Sequence, residues 1–293
     1  MKKSSWIMIL SLALTAIAMG QTYGGQQPQS GAQPQSGAQP QSGAQPAPTA
    51  TPAAPAAPGR RVLQAKTAEE QAAYMAVVNN TDLAAAEAGA ADFATKYPDS
   101  QLRGTIYQVL QNRYQGANNA DKTIEMGRKA IQYDPDNTWA LAITANLLAD
   151  RTRETDLDRD EKLAEVTRYA QHAIETADSG LVVAQNATEE QLQMVKGILL
   201  GVAYEAMGVA ESVRKNDAAA EQHFRKATEV NPARPDPLTW LRLALALDHQ
   251  KKYAEALPAA NRAVEISQTQ GNTQINEMAK QEQARLTQLA GTK

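Results

Sequence analysis

The chain has 293 residues, no cysteine, and 29 basic against 32 acidic side chains. The lack of cysteine excludes disulfide staples, thiolate metal sites, a thioester-forming nucleophile and lipid attachment through an N-terminal cysteine. The slightly acidic balance argues against nucleic acid and anionic lipid as partners.

Lys2 and Lys3 precede a charge-free apolar run at residues 6–18, and Ala18, Met19 and Gly20 follow before Gln21. A basic start, an apolar middle and small residues at the end predict a secretory signal peptide over 1–20. The chain is therefore expected to be exported, periplasmic or secreted. The run is shorter than the ~20 apolar residues that span a bilayer, and no other stretch reads as a span, so no stable membrane insertion is expected after cleavage.

Residues 21–66 form the next segment. Residues 27–46 repeat the unit Gln-Pro-Gln-Ser-Gly-Ala, residues 47–59 are an Ala/Pro tract, and no charged residue occurs from 21 to 59. Proline at every sixth position forbids a helix, and Gly and Ser offer nothing to bury, so this segment is predicted to be a disordered Pro/Gln/Ala-rich linker. Its roughly 38 residues up to Gly59 would average about 35 Å end to end as a coil and reach up to roughly 120 Å in polyproline II.

Beyond Arg60 only six of the fourteen prolines remain, Ala and Leu dominate, and strand-favouring runs are missing. The fold class predicted is all-α. Thr67 with Glu70, and Thr188 with Gln191, have the spacing of capping boxes. Asp236 before Pro237 reads as a cap with proline at the first helical position, where its missing N–H costs nothing. Pro258 falls inside a predicted helix and predicts a kink or a late start.

Aligned segments show a period of about 34. Tyr107, Leu110, Tyr114 and Ala130 recur as Trp240, Leu243, Leu247 and Ala263, and in part as Gly201, Tyr204, Ala220, Phe224 and Ala227. On these residues the chain resembles the tetratricopeptide repeat family. The resemblance implies an α-solenoid of antiparallel helix pairs over 67–271, closed by a capping helix over 272–293. The clearest copy begins at Pro237, and Ala244, Ala256 and Ala263 are the small residues that closely crossed helices need. The third copy carries an insertion at 151–160, and the fourth predicts a long first helix from Thr188 to about Asn216. The first copy, with Ala86, Ala90 and Phe93, is similar to a variant found in cell-envelope assembly lipoproteins.

The inventory for catalysis is thin. His172, His223 and His249 lie on different predicted helices with no His-Glu-x-x-His spacing and no Gly-x-Ser-x-Gly turn. Asp156, Asp158 and Asp160 begin like a calcium loop, but Glu161 and Thr167 replace its glycine and closing glutamate; an acidic helix start is the better reading. No phosphate-binding glycine loop is present, and Gly201 and Gly208 are read as helix-packing residues. No enzyme, no metal and no cofactor are expected.

The resemblance implies a concave groove lined by first helices. Its residues here would be Gln108 and Asn112, then Trp139, Ala142 and Asn146, then Ile198, Val202 and Glu205. Asn112 and Asn146 stand at asparagine places used by the family to hold a C-terminal carboxylate. Gln108, Ile198 and Val202 stand where the basic groups would be, which argues against an acidic C-terminus as ligand. An extended segment of another protein remains the partner class. An alternative buries Ile198 and Val202 against neighbouring helices. On the groove reading, Trp139→Arg would abolish binding and spare stability. The function expected is that of a scaffold or adaptor; the alternative is a structural subunit of an envelope assembly.

Overall fold

Beyond residue 66, Ala/Leu-rich stretches that begin at polar caps fold as helices in the computed structural model, which describes residues 61–182 and 187–290. The expected signal peptide and residues 21–60 of the expected linker lie outside the described residues. Five helix pairs follow in order: α1 (Ala68–Val78) with α2 (Leu83–Lys96), α3 (Leu102–Gly116) with α4 (Ala120–Tyr133), α5 (Thr138–Arg151) with α6 (Arg159–Glu175), α7 (Glu189–Val213) with α8 (Asp217–Glu229), and α9 (Pro237–His249) with α10 (Tyr253–Thr269). α11 (Thr273–Ala290) closes the series. The described residues hold no strand, and their one β-type pairing is an isolated bridge between Arg61 and Val182.

Caps set the starts. The Asp82, Asn119 and Asn137 side chains accept backbone N–H bonds from the first turns of α2, α4 and α5. Thr188 and Gln191 form the reciprocal capping box of α7. Thr67 accepts from the Glu70 N–H, but the Glu70 carboxylate reaches the Lys66 N–H instead of completing the box. Asp236 accepts from Thr239 at 2.7 Å, ahead of Pro237. α10 starts at Tyr253 and runs through Pro258, so the late start did not materialise. Pro258 is exposed, where water can satisfy the carbonyl that its ring leaves unpaired.

Three of the five turns within repeats share one geometry. Asn118, Lys215 and Lys251 adopt positive φ (57°, 62° and 61°). The next residue's N–H returns to a carbonyl five residues back: Asn119 to Tyr114, Asn216 to Glu211, Lys252 to Leu247. This left-handed closure satisfies the last carbonyls of each first helix. Glycine is its usual occupant, so nothing in the two lysines announces it.

Packing follows chain order. Each helix packs on its neighbours in sequence, and first helices also touch in the pairs α1–α3, α3–α5 and α5–α7. Ala130, Ala145, Ala206, Ala220, Ala244, Ala256 and Ala263 have no exposed surface, which lets backbones approach closely. Gly208 belongs to this set, since a Cβ there would lie 2.5 Å from the Phe224 ring. Gly201 does not. Its Cβ would meet nothing closer than 3.7 Å, and it faces a cleft rather than a helix contact. α7 satisfies the length and composition of a membrane span, contrary to the sequence reading, yet half of that window is buried. Leu199, Ala203, Ala206 and Ala210 place it in the core shared with α5 and α6.

Residues 61–66, assigned above to the linker, lie on the array. The Arg61 guanidinium pairs with Asp134 at 2.8 Å and its N–H donates to Leu181. Leu63 and Ala65 pack on the core of α1 to α4, and Lys66 Nζ donates to the Asp99 carbonyl. The strap therefore crosses the turns that join successive repeats.

Because their surroundings differ, the two glycines of α7 should respond oppositely to a methyl group. Gly208→Ala is expected to cost about 1–3 kcal/mol by overpacking Phe224. Gly201→Ala is expected to gain up to about 1 kcal/mol from helix propensity. Thermal unfolding followed by circular dichroism measures both.

Candidate peptide-binding groove

α5, α7 and α9 turn one face each toward the inside of the array. On α5 that face is Ile143, Asn146, Leu147 and Asp150, spaced three and four apart as one helical stripe. These residues line a cleft of about 630 Å³ together with Val202 and Glu205 of α7 and Leu238 and Arg242 of α9. Amides form much of its rim: Gln115 and Asn118 at the end of α3, Asn272 and Gln274 at the start of α11. A second cleft of about 330 Å³ opens between α7 and α9, lined by Ile198, Gly201, Ala227, Asn231, Pro235 and Thr239. Val202 and Glu205 border both clefts.

The space exists because α7 and α9 pack far less closely than α5 and α7 do. An ionic bridge replaces that packing. Arg242 donates to Asp150 at 2.7 Å through one nitrogen and to Glu205 through the other. Three first helices from three successive repeats thus meet at one guanidinium. The Glu205 side chain is only 3% exposed, Arg242 21% and Asp150 36%. Burial pushes the Glu205 carboxyl up to about 8 against the pull of Arg242, with Asp236 and Asp150 adding to the rise. Burial works against the charge of Arg242, but Glu205 and Asp150 hold its pKa above the ordinary value.

The expected groove residues divide. Asn146, Ile198, Val202 and Glu205 line one or both clefts. Gln108 and Asn112 line neither of the two: Gln108 accepts from the Asn137 amide at 2.9 Å and Asn112 accepts from the Trp139 indole at 2.7 Å. Trp139 is 6% exposed and Ala142 fully buried, both within the core. Placing these two on a groove wall is therefore corrected: both are packed in the core, with Trp139 one turn before Ile143 on the same stripe, and Trp139→Arg would damage that core. Sequence reasoning missed Asp150, Arg242 and the entire α11 wall. Arg242 carried a signal, standing one turn from Leu238 on the first helix of the clearest copy, but Asp150 is 92 residues away.

Elsewhere the titratable groups are paired in ways that hold helices together. His172 contacts Asp136 at 2.8 Å and His249 contacts Asp217 at 3.0 Å. His223 is half-buried with its pKa lowered by desolvation. Among the described residues no three His, Cys, Asp or Glu side chains converge as a metal set.

A carboxyl raised from 4.5 to about 8 keeps its proton more readily in the folded chain than in the unfolded one. Its contribution to stability is complete below pH ~4.5, declines as pH rises and is gone above pH ~8. The melting temperature of the wild-type chain should fall between pH 5 and 9 more than that of Glu205→Gln, measured by thermal scans at matched ionic strength.

Comparison with known proteins agrees with the repeat reading. Residues 238–270, which cover α9, α10 and their turn, match the tetratricopeptide repeat family model. No curated protein matches the chain. Similar solved structures include pilF of Pseudomonas aeruginosa, with 15% identity, 74% of this chain and 93% of that one covered, and a TM-score of 0.43. PilW, a widely conserved type IV pilus biogenesis factor, has 16% identity, covers 74% and 94%, and has a TM-score of 0.42. MamA has 16% identity, 64% and 88% covered, and a TM-score of 0.36. The fifth helix pair is thus a tetratricopeptide repeat by its family match, and four further helix pairs stack in chain order before it.

Proposed function

We propose that this chain is an exported scaffold that holds an extended, largely uncharged segment of another protein in the groove between α5, α7, α9 and α11. The observation that carries the reading is the closed charge set at the groove floor. Arg242 faces two carboxylates, so the floor offers no surplus cation to an acidic ligand. An incoming charge would have to break a buried pair, which costs several kcal/mol. What stays open is apolar surface from Leu147, Leu238 and Ile275, ringed by the amides of Asn118, Asn146, Asn272 and Gln274. Amides can pair with the backbone of an extended segment while apolar side chains take its anchors.

Export is supported by the leader, where Lys2 and Lys3 precede the apolar run of residues 6–18. The repeats support a binding role over a catalytic one, because the charged groups at the groove floor are paired with one another instead of converging on a vacant reaction centre.

Groove and convex surfaces can be separated by substitution. Leu147→Arg and Leu238→Arg place charge on half-buried groove positions, whereas Gln171→Arg changes an exposed position on α6. With the full chain as bait in an extract of its own cells, quantitative mass spectrometry should show a set of proteins lost at least tenfold with both groove variants and kept with Gln171→Arg. Capture that is unaffected by the groove variants would remove this reading.

A further inference from the structure

α6 and the turn before it carry an exposed stripe that the groove does not use. Leu157, Glu161, Ala164, Arg168, Gln171 and Glu175 are all exposed and follow one another at spacings of four and three, the period by which two helices lie side by side. Glu161 and Arg168 are the two charged residues of α6 that make no salt bridge among the described residues. The others are engaged: Arg159 with Asp160, Lys162 with Asp156 and Asp158, Glu165 with Arg128, and His172 with Asp136 and Glu175. Arg168 lies over the Tyr169 ring at 5.0 Å, and Glu161 acts on Arg128 only through its field.

Leu157, at the head of the stripe, is fully exposed, and the loop that carries it is tied down on both sides. Thr152 Oγ1 donates to the Leu148 carbonyl at 2.7 Å, Asp156 accepts from the Arg153 N–H at 3.1 Å and from Lys162 at 3.3 Å, and Lys215 in the α7–α8 turn pairs with Glu154. A leucine held out into water by a fixed loop is suited to enter a pocket on another molecule, with little ordering cost on contact. A pocket of that kind opens at the other end of the stripe. It measures about 600 Å³ between α4 and α6, with Ile131, Leu141 and Tyr169 among its walls and Arg168 and Gln171 beside them.

Reversed, the stripe is complementary to itself. When two α6 helices lie antiparallel with Ala164 of each at a two-fold axis, Glu161 of one copy falls opposite Arg168 of the other, and the same pair forms again across the axis. Leu157 falls opposite Gln171, seven residues to either side of Ala164, at the pocket. The small side chain of Ala164 lets the helices approach where they cross. Each contact recurs under the two-fold, as a closed dimer requires, whereas a parallel pairing in register would set Glu161 against Glu161 and Arg168 against Arg168. We propose that a second copy of this chain docks here through antiparallel α6–α6 pairing, with Leu157 of each copy seated in the α4–α6 pocket of the other. The α4–α6 pocket shares no residue with the two clefts beside α7, so the proposal does not rest on what the groove captures.

A residue on a two-fold axis meets its own copy, so one cysteine in the otherwise cysteine-free full chain tests both pairing and register. Under mild oxidation at low micromolar concentration, Ala164→Cys should form an interchain disulfide roughly tenfold faster or more than Gln281→Cys, an exposed position on α11. Adding Arg168→Glu should slow it toward the control rate, and adding Glu161→Arg to that variant should restore it by exchanging the two charges. Leu157→Ser should slow it as well without lowering the melting temperature, because this fully exposed side chain supports nothing in its own copy. Sedimentation velocity without the cysteines should rank the dimers in the same order. Equal disulfide rates at the two positions overturn the proposal. So does a wild-type chain that stays monomeric up to ~300 µM, or a dimer that neither Leu157→Ser nor Arg168→Glu weakens.

Discussion

The guanidinium of Arg242 lies between Asp150 of α5 and Glu205 of α7, where α7 and α9 pack far less closely than α5 and α7 do. Elsewhere neighbours are joined by alanine-lined contacts and apolar side chains, and the stability of such an array is approximately a sum of nearest-neighbour terms. At α7 and α9 that sum has a gap on the concave side. Contact with the fifth repeat is carried by α8 against α9 on the outside and by the bridge of Arg242 to Asp150 and Glu205 on the inside. Removing Arg242 leaves the buried Glu205 and the partly exposed Asp150 without this partner. The curvature of the array and the chemistry of its groove therefore share a single polar centre.

That arrangement has a functional consequence. Charges at a groove floor are usually available to a ligand, but here each is satisfied by another repeat. Beside that centre the cleft lining consists of amides and apolar side chains, with the Arg151–Asp121 ion pair at its edge. Burial of Glu205, and the rise in its pKa that follows, make the centre sensitive to mildly alkaline conditions. Groups with raised pKa values near a cleft often mark functional sites; in this chain the geometry gives that group a role in holding repeats at a fixed angle.

Much of the fold was legible in the sequence because local signals agreed with one another. Thr188 with Gln191, and Asp236 with Pro237, mark helix starts by chemistry that does not depend on tertiary context. Ala244, Ala256 and Ala263 recur at helix crossings because only small residues fit there. The groove was less legible. On α5, Trp139, Ile143 and Leu147 share one helical stripe, and which of them reaches the cleft is set by how α5 meets α7. That contact depends on the long α7 and on the turn after α6, neither of which follows the repeat period. The Asp150–Arg242 pair joins residues far apart in sequence with no local pattern. Gly201 and Gly208 look alike in sequence, and only Phe224 tells them apart.

If Arg242 sets the spacing between the third and fifth repeats, removing it should widen the groove. Asp121 and Gln274 are exposed and stand on opposite sides of the larger cleft, so spin labels at Asp121→Cys and Gln274→Cys report its width by double electron–electron resonance. With Arg242 in place the distance distribution should be narrow, and with Arg242→Ala it should broaden and shift to longer distances while helix content is retained. An unchanged distribution in a folded Arg242→Ala chain would contradict the account.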